Sequence, residues 1–188
     1  FAFVSSLNDG VQLLGIFSVP QGNGDKAALF LERGKYNLGE KRFREAADAL
    51  QKAVELDPEN AYAYYFLGEA QYLDENYEMA LDSFYESIRL SPENAQFYNA
   101  RGLTYVLMKE FAKAIEDFTT AIGIDESDYR FFMNRGSRTM YSPFAPPEFL
   151  RTEEFSQTVT DYSTAISLAQ STTISNTTGI NPEDAGFA

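Results

Sequence analysis

Residues 55–60 read ELDPEN, residues 89–94 RLSPEN and residues 123–128 GIDESD, and after each of them an apolar, helix-like run starts again. Each stretch begins 34 residues after the one before. Pro58 and Pro92 cannot continue the helix that leads up to them, because proline lacks the N–H and clashes with the preceding turn. Asn60, Asn94 and Asp128 stand just ahead of the next apolar run. There a short side-chain acceptor satisfies the orphan N–H groups of a new first turn. Each stretch therefore reads as one helix stopping and the next being capped.

The same period orders the rest of the chain. Gly34, Gly68, Gly102 and Gly136 fall in one column; Ala46, Ala80 and Ala114 in another; Leu50, Phe84 and Phe118 in a third; Ala53, Ser87 and Ala121 in a fourth. Small residues at fixed places let two antiparallel helices approach closely, and a large residue fills the space they leave. Each unit is then a helical hairpin that cannot bury its apolar face alone, so successive units must stack into a solenoid. The expected helix pairs are 26–38 with 41–55, 60–73 with 76–90, 94–107 with 110–123, and 128–140 with 153–169.

This column pattern resembles the tetratricopeptide repeat (TPR), and the resemblance covers about residues 25–171. It implies an all-α, right-handed α-solenoid of about four hairpins, at roughly 27–60, 61–94, 95–128 and 129–171. In the fourth unit Tyr162 and Ala165 keep their columns, Thr158 replaces the alanine, and an insertion, SPFAPPEFLR, separates the two helices. Its prolines, Pro143, Pro146 and Pro147, exclude a helix interior and predict a projecting loop that also carries Phe144 and Phe149. That loop is either a contact surface for a partner or a cover for the last repeat. Residues 1–24 read as an apolar extension off the period. Residues 172–188, rich in Thr, Ser, Asn and Gly, read as an irregular tail.

Composition removes whole classes of function. With 15 basic and 28 acidic residues the net charge is -13, which repels phosphate backbones and disfavours nucleic acid as a partner. The chain has no Cys and no His, hence no thiolate, no imidazole base and none of the common soft metal ligands. The remaining acids, such as Asp74 with Glu75, or Glu153 with Glu154, fall in turns where water screens them. GNG at residues 22–24 lacks the strand and the Lys-Ser/Thr of a phosphate loop. Nothing calls for an enzyme, a cofactor or a metal. No apolar run approaches the roughly 20 residues of a membrane-spanning helix, so the chain reads as soluble. It opens on Phe1 rather than Met, which is compatible with removal of an upstream segment, and its setting reads equally as exported, organellar or cytoplasmic.

In TPR proteins the inner, concave surface is lined by the second, fifth, ninth and twelfth positions of each first helix. The resemblance therefore assigns the groove to Ala28, Leu31, Lys35 and Leu38; Tyr62, Tyr65, Glu69 and Tyr72; Gln96, Asn99, Leu103 and Val106; and Arg130, Met133, Ser137 and Met140. Tyrosine offers apolar area and a hydroxyl at small entropic cost, which suits contact with a peptide or helix. The slots that clamp acidic chaperone tails in some TPR domains hold Leu31, Lys35, Glu69, Gln96 and Ala100 here, so that specificity is disfavoured. The expected function is a non-enzymatic scaffold binding a partner protein or peptide. The alternative is a structural or assembly subunit of a larger, membrane-associated complex, or a homo-oligomer.

Overall fold

The computed structural model describes residues 22–140 and 153–178. Within them lie eight helices: α1 (Asn23–Gly39), α2 (Phe43–Leu56), α3 (Ala61–Leu73), α4 (Tyr77–Leu90), α5 (Ala95–Leu107), α6 (Phe111–Ile124), α7 (Tyr129–Met140) and α8 (Glu153–Thr178). They pack as four hairpins, α1 on α2, α3 on α4, α5 on α6 and α7 on α8, and each hairpin stacks on the next. The first helices α1, α3, α5 and α7 also touch one another in order, which makes them the inner wall of an all-α solenoid.

The caps are where the sequence puts them. The Asn60 side chain accepts from the Ala63 N–H at 3.1 Å, Asn94 from the Gln96 N–H at 3.1 Å, and Asp128 from the Arg130 N–H at 3.0 Å. In the third junction, where Glu126 takes the proline slot, the Asp125 carboxylate forms the turn instead. It accepts from the Ser127 N–H at 2.9 Å and from the Ser127 hydroxyl at 2.6 Å.

The turns inside the hairpins follow a second rule with the same period. Lys41, Glu75 and Lys109 have φ of 58°, 65° and 64°. In each case the following N–H reaches back five residues, as Asn76 does to the Gln71 carbonyl at 2.8 Å, while the left-handed residue itself bonds three back, as Glu75 does to Tyr72 at 3.1 Å. This is the pairing of a helix C-terminus that ordinarily ends on glycine. A side chain in that conformation is strained by about 1–2 kcal/mol, part of which glycine's larger unfolded-state entropy offsets. Glu75→Gly is accordingly expected to raise stability by about 0.5–1 kcal/mol in chemical denaturation.

The column glycines are contact points. A Cβ on Gly34 would lie 2.3 Å from Leu50 Cγ, on Gly68 2.6 Å from Phe84 Cε1, and on Gly102 2.7 Å from Phe118 Cε1. Leu50, Phe84 and Phe118 are fully buried, as are Ala46, Ala80 and Ala114 beside them. Glycine here serves close approach, not a turn. Between repeats the contact is made by residues such as Phe131, fully buried against Ala95 and Ala121 with Ile122 alongside.

Two boundaries differ from the sequence reading. Asn23 and Gly24, placed in the N-terminal extension, form the first turn of α1 behind the N-cap Gly22. Residues 172–178, placed in an irregular tail, continue α8 to Thr178. The Ser171 and Thr172 hydroxyls turn back along the helix and donate to the carbonyls of Ser167 at 3.0 Å and Leu168 at 2.9 Å, so they do not compete for the helix N–H groups. The insertion residues Phe144, Pro146, Pro147 and Phe149, and the apolar residues 1–21, lie outside the described residues. Among the described residues no helix is long and apolar enough to cross a membrane, and no acidic cluster is arranged to hold a metal ion.

Candidate functional site: the inner helical face

Along the inner wall, α3 carries the densest aromatic arrangement. Tyr65 is half-buried, stacked on Phe97 of α5 at 5.1 Å and 25°, and edge-on to Phe66 at 5.2 Å. Tyr62 meets the same Phe97 edge-on at 5.4 Å but stays 54% exposed, its hydroxyl accepting from the Asn94 amide at 3.2 Å. Tyr72 is half-buried against Tyr77 of α4 at 6.0 Å. One turn beyond Tyr65 lies Glu69, and the Tyr65 hydroxyl donates to its Oε1 at 2.9 Å. Burial pushes the Glu69 carboxyl above its ordinary value, and the Tyr65 hydrogen bond pulls it partly back. Burial first, then the neighbouring Glu69 charge and the hydrogen bond, push the Tyr65 phenol up as well.

The other predicted residues flank this centre. Lys35 on α1 is exposed, pairs with Glu32 at 2.7 Å, and lies 5.6 Å from the Phe66 ring centroid. Asn99 on α5 accepts from the Asn134 amide of α7 at 2.8 Å, a bond between neighbouring first helices. Leu103 packs against the buried Tyr105, Ala114 and Phe118, so its role is in the core. Met133 is 41% exposed. Arg130 forks onto Asp128, with Nε at 2.9 and 3.0 Å from its two oxygens and Nη2 at 2.5 Å. Burial opposes the Asp128 charge, but these bonds together with those from the Arg130 N–H and the Gln96 amide outweigh it and hold the carboxyl below its usual range. The Arg130 charge acts on the Tyr65 phenol in the opposite sense to burial, a minor effect beside it.

A pair of ion pairs inside the hairpins went unread in the sequence. Arg101 Nε and Nη2 donate to Asp117 at 2.9 and 2.7 Å, and Arg135 Nε and Nη2 donate to Asp161 at 2.9 and 2.7 Å. Both carboxylates are buried, and the Arg101 guanidinium lies 4.5 Å from the Tyr85 ring. Desolvation pushes the Asp117 carboxyl up and the Arg101 bonds pull it back. The signal was in the columns: Arg precedes the column glycine and Asp precedes the large residue in the third and fourth repeats, whereas the second repeat has Leu67 and Ser83 there.

With this geometry in view, comparison with known proteins is decisive about the family. Tetratricopeptide repeat family models match residues 31–95 and 95–128, an unbroken stretch of more than half the 188 residues. The chain is a tetratricopeptide-repeat protein. Among solved structures, the TPR array resembles the crystal structure of MamA with a TM-score of 0.67 at 27% identity, over 77% of this chain and 78% of that one. The first TPR domain of Spaghetti (RPAP3), solved bound to the HSP90 peptide SRMEEVD, matches with a TM-score of 0.61 at 16% identity, over 63% of this chain and 94% of that one. The second TPR domain of human RPAP3, in complex with the HSP70 peptide SGPTIEEVD, matches with a TM-score of 0.60 at 18% identity, over 62% and 98%. Among curated protein sequences none matches this TPR chain.

Proposed function

We propose that this TPR chain is a non-enzymatic scaffold that holds a peptide or helix of a partner protein along the inner face of α1, α3, α5 and α7. The observation that carries the reading is the α3–α5 aromatic seam. Tyr65 and Phe97 are fixed by stacking, and Tyr62 is left half-exposed on top of them. A rigid, amphipathic surface of this kind binds with little ordering cost. The RPAP3 domains, alike in fold, hold peptides that end in acidic residues. Here Glu69 stands mid-groove and the two nearby cations are tied to Glu32 and Asp128, so the groove is not built for such a tail.

The test must spare Tyr65, whose ring belongs to the packing. Tyr62→Ala gives up the edge-on contact with Phe97 and the Asn94 hydrogen bond, so it is expected to cost about 1 kcal/mol while staying folded, and to cut capture of a co-purifying partner at least about tenfold, the loss of a central aromatic anchor. Undiminished capture by the folded variant would place the partner on another surface.

The second reading, an assembly subunit, rests on α8. Aligned through Ala121 and Ala165, Ile166 takes the column of Ile122 and Val159 that of Ile115. Ile122 packs against the next repeat, whereas Ile166 and Val159 are 57% and 52% exposed. Self-association that Ile166→Glu abolishes would favour this reading over the groove.

A further inference from the structure

We infer that the groove, if it binds as proposed above, selects a partner segment carrying a basic side chain, Lys or Arg, seated against Glu69 on the inner face of α3. The argument is one of charge matching on a single face. Lys35 and Arg130, the cations of the predicted groove set, each already meet a carboxylate of their own neighbourhood, Glu32 and Asp128. Glu69 is the converse: among the described residues it accepts one hydrogen bond, from the neutral Tyr65 hydroxyl, and no Lys or Arg pairs with it. An acid held partly out of water beside a neutral donor gains most from an incoming cation, because the dehydration that weakens it alone strengthens the pair.

The walls suit the same ligand. Cations already sit near aromatic rings in this chain, Lys35 at 5.6 Å from Phe66 and Arg101 at 4.5 Å from Tyr85. Tyr62, 54% exposed two turns before Glu69 on the same helix, offers a further ring to the segment that carries the cation. The net charge of -13 draws basic segments to the surface and repels acidic ones before contact. Acidic tails and purely apolar helices satisfy none of these three conditions.

The test uses the whole chain, immobilised, with a displayed pool of random nonapeptides as the probe. Sequences retained by the unaltered chain are expected to be enriched about tenfold in Lys or Arg at one position, with apolar residues beside it, a typical size for a partly desolvated ion pair. Glu69→Gln keeps the acceptor for Tyr65 and should lose that enrichment while unfolding as before. Glu78→Gln on the outer helix α4, the same change in net charge, should keep it. Retained peptides without basic enrichment, or enrichment equal in Glu69→Gln, overturn the inference; the groove reading then stands if Tyr62→Ala still abolishes retention. If nothing is retained, the inference fails as well, and the partner-capture experiment decides the groove reading separately.

Discussion

Asp161→Ala is expected to destabilise the last hairpin by about 3–5 kcal/mol, the usual cost of stranding one partner of a buried ion pair. Asp161 is 1% exposed and accepts from Arg135 twice and from the Gln157 amide at 2.9 Å. Its removal takes from a guanidinium that is mostly out of water the carboxylate onto which it forks. The loss should be local, since a solenoid's stability is a sum over repeats and their nearest-neighbour contacts. Hydrogen exchange should therefore quicken across α7 and α8 and leave α1 to α4 protected. The chain also supplies its own control. The second repeat places Leu67 and Ser83 in these columns, both buried, with the Ser83 hydroxyl donating to Gln71 at 2.7 Å. The double variant Arg135→Leu with Asp161→Ser should recover most of what Asp161→Ala loses, because replacing a whole buried pair is far milder than breaking it. A double variant no better than the single one would show that the carboxylate matters for something other than its arginine.

How far the sequence carried this far differs by level. The hairpins, their caps and their stacking were legible because each depends on residue type at a fixed offset, such as Asn60 or Gly68, and the period repeats the evidence. The left-handed turns at Lys41, Glu75 and Lys109 were not, since no glycine marks them; only the backbone shows that two lysines and a glutamate share one conformation. The predicted groove set mixes roles that column position does not distinguish. Tyr65 and Leu103 share the predicted face with Tyr62, yet one is locked by stacking and the other by the core. A burial pattern of this kind depends on what lies across the interface, and column position alone does not encode that. The end of α8 was misread because Ser and Thr are weak helix formers by propensity, and propensity alone does not decide where a helix ends. The punctuation also recurs once more in the sequence, off the period: INPEDA at 180–185 resembles LDPENA at 56–61 and LSPENA at 90–95 letter by letter, beyond the described residues.

The Gly102–Phe118 contact yields the other large expected effect and a direct check on the repeat register. Phe118→Ala should cost about 3–5 kcal/mol, since it empties a fully buried ring site in a helix pair that cannot collapse without moving α5. Gly102→Ala involves two opposed terms. Helix propensity favours alanine by about 1 kcal/mol. The new methyl, however, would sit 2.7 Å from Phe118 Cε1 and 3.2 Å from Asp117 Cβ, an overlap worth about 1–3 kcal/mol against it. With the ring held on all sides, overlap should win and the variant should be less stable. At Gly123, where nothing lies within 4 Å, the same substitution should be neutral or stabilising by about 0.5–1 kcal/mol. In the double variant Gly102→Ala with Phe118→Ala the methyl projects into the space the ring has left, so the clash disappears and the propensity gain remains. Chemical denaturation should then find the double variant more stable than Phe118→Ala alone, with a coupling of about 1–3 kcal/mol. Strict additivity of the two losses would mean that the glycine and the ring do not meet, and that the close approach of the paired helices, on which the whole register rests, is set elsewhere.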